Sequence, residues 1–319
     1  MEQVRLGDRG PWVSRVGFGA WAIGGLNWGR QDERDSREAL VAALESGVTF
    51  IDTADVYGYG RSETLIGQVL RETGRRDVVV ATKAGNDFYN AGPQDETIYG
   101  RIRLNGRRDY LVFAAEQSLR RLGVETLDVL QLHSLETADL DSDEPWEALA
   151  QLKRQGKIRY AGWSVKSFQE TGQSHFLERG REVLDCIQVR YNLLERGAEE
   201  ALLPKAAALG LGVIVRIPLV FGLLTGKYGR DHRFPPDDHR SANLAPSRLE
   251  EYLRRLDRLS GWFASFPGHS MAELSLRFCL SHPSCHTVIP GARNAAQAQA
   301  NAAAATMGPL PPGQLPPVV

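Results

Sequence analysis

Short apolar runs alternate along this chain with longer stretches in which apolar residues return every three or four positions. The runs cover residues 15–22, 49–53, 78–82, 127–132, 158–163, 186–190, 212–217 and 286–289. Runs of this length with few polar interruptions suit strands covered on both faces, as in a parallel sheet. Between them the spacing predicts helices over 32–46, 62–72, 110–122, 144–155, 167–179, 198–209, 271–281 and 294–306. Gly47, Gly74, Gly123, Gly156 and Gly210 follow five of these helices, where a left-handed residue commonly closes the last turn. Eight strand–helix units predict an α/β fold, a closed (β/α)8 TIM barrel rather than an open doubly wound sheet. Two stretches interrupt the alternation: 85–108 after the third strand and 220–247 after the seventh, the latter followed by an extra helix over 248–266. Both leave strand C-terminal ends, the face on which barrels build their sites. Residues 1–308 read as a single barrel domain, and 309–319 as a Pro-rich tail, irregular or disordered.

Composition narrows the functions open to such a barrel. The 319 residues match a barrel of roughly 250 residues plus insertions. A formal net charge of -1 argues against a nucleic-acid or membrane-surface binder, which needs a basic excess. The three cysteines, Cys186, Cys279 and Cys285, form no CxxC, so neither a disulfide framework nor a thiolate metal site is expected. The polar start MEQVRLGDRG does not read as a secretory leader, and no run of about 18 apolar residues reads as a membrane span. A reducing, cytoplasmic setting is expected.

Chemistry gathers at consecutive strand ends. Asp52 ends the second strand, Lys83 the third and His133 the fourth, and Tyr57 follows Asp52 by five residues. Alone, each has an ordinary explanation: a surface lysine, a packing tyrosine, a satisfied histidine, a capping aspartate. Together they converge on one barrel face. A phenol with a pKa of about 10 holds its proton at neutral pH, and a neighbouring ammonium makes it a better donor. An aspartate keeps that ammonium charged and placed, and a histidine can hydrogen-bond a carbonyl oxygen or relay a proton. The set suits protonation of an oxyanion as hydride reaches carbon.

Several segments resemble the aldo-keto reductase family. They are FIDTADVYGYGRSE at 50–63, VATK at 80–83, LQLHS at 130–134, QVRYNLL at 188–194, PLVFGLLTGKY at 218–228 and VIPGAR at 288–293. They occur in family order from Gly17 to about Asn301, and the pattern is most similar to bacterial reductases and proteins like potassium-channel beta subunits. The resemblance implies NAD(P)H-dependent reduction of aldehydes or ketones, with Tyr57 as proton donor, Lys83 tuning it, Asp52 pairing with Lys83 and His133 orienting the carbonyl. It implies that Ser164 and Gln188 hold the nicotinamide carboxamide, with Asp52 beneath and Gly19 and Trp21 beside the ring. Leu219 and Gly222 would meet the pyrophosphate, Lys227 and Arg240 the phosphates, and Gly291, Arg293, Gln297 and Asn301 the adenosine end. No Rossmann GxGxxG follows the first strand, as the family's extended cofactor mode requires.

Departures from the family pattern bear on cofactor choice. Val165 follows Ser164 where many relatives have Asn, and Arg216 stands where many have a tyrosine that stacks on nicotinamide. A guanidinium can stack too, but its charge disfavours an oxidised, cationic ring, so Arg216 is expected to favour the reduced cofactor and reduction. Gln297 and Ala300 replace a basic and an acidic residue, so NADPH is expected with NADH also admissible. Trp21, Trp28, Tyr57, Trp163 and parts of 88–108 are expected to wall a pocket for apolar carbonyl compounds. Arg101, Arg103, Arg107 and Arg108 would instead recruit an anionic group if they face it; otherwise they are solvated charges. Two other readings stand beside the reductase. One is a slow-turnover NADPH-binding regulatory or redox-sensing subunit. The other is a Schiff-base aldolase using Lys83, which the adjacent Asp52 disfavours by keeping the lysine charged. The physiological substrate and the oligomeric state leave no mark in the sequence.

Overall fold

All eight apolar runs contribute a strand in the computed structural model, which describes residues 1–29, 31–90 and 102–319. A short antiparallel hairpin, β1 (Gln3–Arg5) and β2 (Trp12–Ser14), comes first. The barrel strands follow: β3 (Phe18–Gly19), β4 (Phe50–Asp52), β5 (Val79–Ala84), β6 (Leu127–His133), β7 (Ile158–Ser164), β8 (Cys186–Arg190), β9 (Gly212–Arg216) and β10 (Thr287–Ile289). Each pairs in parallel with its sequence neighbours. Bridges between Val16 and Val288 and between Gly19 and Gly291 join the first barrel strand to the last. A side chain at Gly19 would put its Cβ 2.6 Å from the Ile289 carbonyl oxygen, so this seam requires glycine.

The hairpin explains how the barrel interior stays dry. Phe50, Ala81, Val129, Cys186, Ile214 and Ile289 point inward from the strands, and Leu6 and Val13 of the hairpin pack against them. The hairpin is fixed at the N-terminal end of the barrel. The Asp8 amide donates to the Gly210 carbonyl at 2.9 Å, and Ser14 and Thr49 exchange backbone–hydroxyl hydrogen bonds of 3.1 and 3.0 Å. The opposite end is left open for a site.

Helices cover the outside: α1 (Glu33–Glu45), α2 (Arg61–Thr73), α3 (Arg108–Leu122), α4 (Thr137–Asp141), α5 (Glu144–Arg154), α6 (Phe176–Gly180), α7 (Leu202–Ala208), α8 (Arg240–Asn243), α9 (Pro246–Arg258), α10 (Ser260–Ala264), α11 (Met271–Ser281) and α12 (Ala295–Thr306). Local chemistry sets their limits. Asp32, Ser270 and Asn294 cap α1, α11 and α12 by accepting backbone N–H bonds, and left-handed Gly74 and Gly123 end α2 and α3. Among the described residues, no helix is long and apolar enough to cross a membrane.

Three local expectations change. The helix expected over 167–179 shrinks to α6, because Phe168 is left-handed (φ 62°) and the buried Gln173 side chain ties the loop to Lys166 N and Leu135 O. The single helix over 248–266 is two, α9 and α10. The third is narrowed, not overturned: the Pro-rich tail is irregular, as one of the two alternatives has it, and docked, with Leu310 buried, Trp262 donating to the Gln314 carbonyl at 2.9 Å and Arg255 donating to the Val319 carbonyl. Leu6 is fully buried at the base of the barrel. Leu6→Ala should therefore destabilise the fold by about 2–5 kcal/mol in denaturant unfolding, the range for deleting such a side chain; a loss below ~1 kcal/mol would mean the hairpin does not seal the core.

Candidate active site

Asp52, Lys83 and His133 end the adjacent strands β4, β5 and β6, so strand order alone brings them to one rim. Tyr57 reaches the same point from the turn between β4 and α2. Lys83 is fully buried and makes three hydrogen bonds: to Asp52 Oδ2 at 2.6 Å, to the Thr53 carbonyl at 2.7 Å and to the Tyr57 hydroxyl at 3.3 Å. The second Asp52 oxygen accepts from Gln188 Nε2 at 2.6 Å and from Gln131 Nε2 at 3.1 Å. Every charge in this buried cluster is thus met by an opposite charge or a hydrogen bond. Gln131 escaped the sequence reading, although LQLH places it two residues before His133, on the same face of β6.

The electrostatics assign protonation states. Burial works against the Lys83 charge, but Asp52 and Tyr57 outweigh it and its pKa rises. Burial raises the Tyr57 pKa and Lys83 pulls it back down, the net shift being upward, so the phenol keeps its proton at rest. Burial, with Lys83 and Arg216 adding, holds His133 well below the usual imidazole range. His133 is therefore neutral, and its Nδ1 makes no hydrogen bond among the described residues. It can donate to or accept from a carbonyl compound but carries no charge to give up.

Above this cluster opens a cavity of about 660 Å³. Tyr57, His133 and all of the residues expected to touch the cofactor line it: Gly19, Trp21, Asp52, Ser164, Gln188, Arg216, Leu219, Gly222, Lys227, Arg240, Gly291, Arg293, Gln297 and Asn301. Lys83 lies behind the wall. Trp163 does not belong to the cavity: its side chain is fully buried and packs edge-on against Trp146 and Phe176, on the helix side of β7. Of the arginines after β5, Arg101 lies outside the described residues, Arg103 is exposed, and Arg107 and Arg108 pair at the surface with Asp109 and Glu147. Those last two are solvated charges, not an anion site.

Arg240 is buried and already committed. It donates to Asp238 through Nε at 2.8 Å and through a second nitrogen, and to the Tyr228 hydroxyl at 2.7 Å, with its plane over Trp28 and Phe234. It secures a strap instead: the His239 amide donates to the Asn27 carbonyl at 2.8 Å, Trp28 bridges Asp238, and the His239 ring stacks 4.3 Å from Trp21. The chain after β9 thereby crosses to the chain after β3. Sequence reasoning missed His239, Asn86, Ser134 and Arg190. Only Arg190, a charge ending an apolar strand, carried a usable signal. It pairs with Glu195, Nε to Oε2 at 2.6 Å.

The fold and this rim define a barrel oxidoreductase. The chain belongs to the aldo/keto reductase family, whose family model matches residues 15–317. It is 35% identical to the aldo-keto reductase YhdN of Bacillus subtilis, over 94% of this chain and 87% of that protein. It is 31% identical to an NADH-specific methylglyoxal reductase of Escherichia coli, over 95% and 93%. A solved glycerol dehydrogenase from Gluconobacter oxydans superposes with a TM-score of 0.81 at 32% identity, covering 98% of this chain and 92% of that one. Membership makes the chain an oxidoreductase of small carbonyl compounds working with a nicotinamide cofactor.

The cavity fits such a cofactor. His133 Nδ1 and Arg216 Nε are buried polar atoms without a partner among the described residues. Gly222 turns left-handed (φ 90°) beside Lys227, which is exposed and has no carboxylate partner among the described residues. The segment leading into α12 (Gly291 and Arg293) and its first turn (Gln297) open onto the same cavity, where a helix N-terminus favours an anion.

One buried group sits outside this chemistry. Asp55 is fully buried in the turn before Tyr57, and neither carboxyl oxygen has a well-formed hydrogen bond among the described residues. Burial, with the Glu63 charge adding, raises its pKa well above the ordinary carboxylate range. The folded state therefore holds this proton at pH values where the unfolded chain has released it, so its contribution is intact below about pH 4 and lost as pH rises. Asp55→Asn, neutral throughout, should raise the melting temperature at pH 7, and the gain should close as pH falls toward 4. A gain independent of pH would show that Asp55 is not held protonated.

Proposed function

We propose that the protein reduces short, oxygen-rich aldehydes or ketones to alcohols with NADPH, with Tyr57 as proton donor. The observation that carries this reading is the buried chain Asp52–Lys83–Tyr57, in which one ammonium bridges a carboxylate and a phenol at the cavity floor. The cofactor supplies the hydride. Tyr57 gives its proton to the carbonyl oxygen, and Lys83 stabilises the phenolate left behind. Asp52 keeps Lys83 charged and pointed, and neutral His133 holds the carbonyl oxygen by a hydrogen bond. The same contacts weigh against a Schiff-base aldolase, because Lys83 is charged, buried and shut off from the cavity.

For the cofactor, Ser164 and Gln188 serve the carboxamide, the turn from Leu219 to Gly222 with Lys227 serves the pyrophosphate, and Arg293 serves a 2′-phosphate. Arg293 is braced for this by Gln31, which accepts from its Nε at 2.7 Å. Arg240 is reassigned from phosphate binding to the strap.

Unused polar groups on the cavity wall support the substrate class. The Asn86 amide and the Ser134 hydroxyl make no side-chain hydrogen bond among the described residues, and Trp28 Nε1 is buried without a partner. Such groups call for a partner on the ligand. The similar methylglyoxal reductase and glycerol dehydrogenase are named for three-carbon oxygenated compounds, in keeping with this wall.

Two measurements test the reading. Tyr57→Phe should lower carbonyl reduction by roughly 10²–10⁴-fold while cofactor titration stays intact; full activity in that variant removes Tyr57 as the acid. Glyceraldehyde should exceed propanal in kcat/KM by at least about tenfold, and Asn86→Leu should narrow the gap. Equal values for the two aldehydes would rule out a wall that reads hydroxyl groups.

A further inference from the structure

Three basic side chains stand at the ends of β5, β8 and β9: Lys83, Arg190 and Arg216. Two are neutralised at once, Lys83 by Asp52 and Arg190 by Glu195. Among the described residues, no carboxylate lies within ion-pair distance of Arg216. There it is held by neutral groups, donating to the Val165 carbonyl at 2.8 Å and the Ser167 hydroxyl at 3.0 Å, while its Nε is buried and has no partner among those residues. The acids whose field reaches it are Glu170 and Glu195; neither forms an ion pair with it, and Glu195 is already shared with Arg190. Burial and the Arg190 charge lower its pKa to about 10, which still leaves it cationic at neutral pH.

The reach of this charge locates its effect. Arg216 lines the cavity with Tyr57 and His133, and its field lowers the pKa of both. A ring that delivers hydride to a carbonyl carbon held at the Tyr57 hydroxyl must lie within the same field. The neutral Tyr57 and His133 do not cancel it, and the Asp52 charge is balanced by Lys83. The two redox states of a nicotinamide ring differ by one positive charge.

Resting on the proposed reductase reading, we infer that Arg216 is a redox-state selector: its uncompensated charge repels the oxidised nicotinamide ring and leaves the reduced cofactor bound more tightly. The oxidised cofactor is the product of carbonyl reduction, so the same repulsion speeds its release and biases the enzyme toward reduction. Val165 and Ser167 act as positioning residues, holding the guanidinium in place without neutralising it.

The experiment is equilibrium binding, not turnover. Dissociation constants for reduced and oxidised cofactor would be measured for the wild type, Arg216→Gln, Arg216→Met and Arg216→Lys, by fluorescence titration and competition, with thermal unfolding in parallel. Coulomb's law in a partly buried site predicts that the wild type prefers the reduced form by on the order of ten- to a hundredfold. The two neutral variants should lose most of that preference, and the lysine variant should keep it. Equal affinities in the wild type, or an unchanged ratio in a folded neutral variant, would overturn the inference. A wild type that binds neither form would instead overturn the cofactor assignment beneath it.

Discussion

The site depends on an ammonium removed from water. Lys83 is fully buried, and burying a lone charge costs several kcal/mol unless other groups replace its solvation. Here Asp52, a backbone carbonyl and a phenol do so. The requirement propagates outward. Asp52 must itself be satisfied, which Gln131 and Gln188 accomplish from β6 and β8. Gln188 in turn accepts from Ser164. A single buried cation thus organises side chains from β4, β5, β6, β7 and β8 into one hydrogen-bonded layer. That layer places the phenol at the cavity, beside the ammonium.

The barrel supplies the rigidity this layer needs. Its lower end is filled with apolar side chains and sealed by the amino-terminal hairpin, while its upper end carries backbone held in costly conformations. Ser134, Ile217, Val220 and Phe221 all have positive φ; Ser134 and Ile217 directly follow β6 and β9, and Val220 and Phe221 lie in the turn after β9. Such residues cost of order 1–3 kcal/mol each and persist only where the surroundings fix them. Ser134 and Phe221 line the cavity, so the strain lies where backbone turns sharply to present groups to a ligand.

Much of this was readable from sequence because the controlling signals are local. Apolar runs, helical spacing and closing glycines identify the eight units, and Asp52, Lys83 and His133 declare themselves as polar residues ending apolar runs. The structure gathers the residues expected to meet the cofactor around one cavity, although their individual roles come from family likeness. The failures share a cause. The hairpin strands are three residues each, too short for a periodic signal. The strap joins loops more than 200 residues apart, so nothing near Trp28 or His239 announces it. Trp163 was misplaced because strand residues alternate between barrel interior and helix layer, and an uninterrupted apolar run hides which side each takes.

Charge balance, rather than charge count, separates the basic residues of this cavity. The sequence reading expects Arg240 to meet a phosphate and passes over Arg190; each is matched by a neighbouring acid. Lys83 is matched by Asp52 and donates to the Tyr57 hydroxyl. Arg216 is held by oxygens that carry no net charge, so its field is spent on whatever enters the cavity. A half-buried cation with no carboxylate partner among the described residues is unfavourable in isolation, and desolvation is the first cause of the lowered Arg216 pKa. Its place beside Tyr57 and His133 puts that charge where a change of one charge on a ligand would be felt.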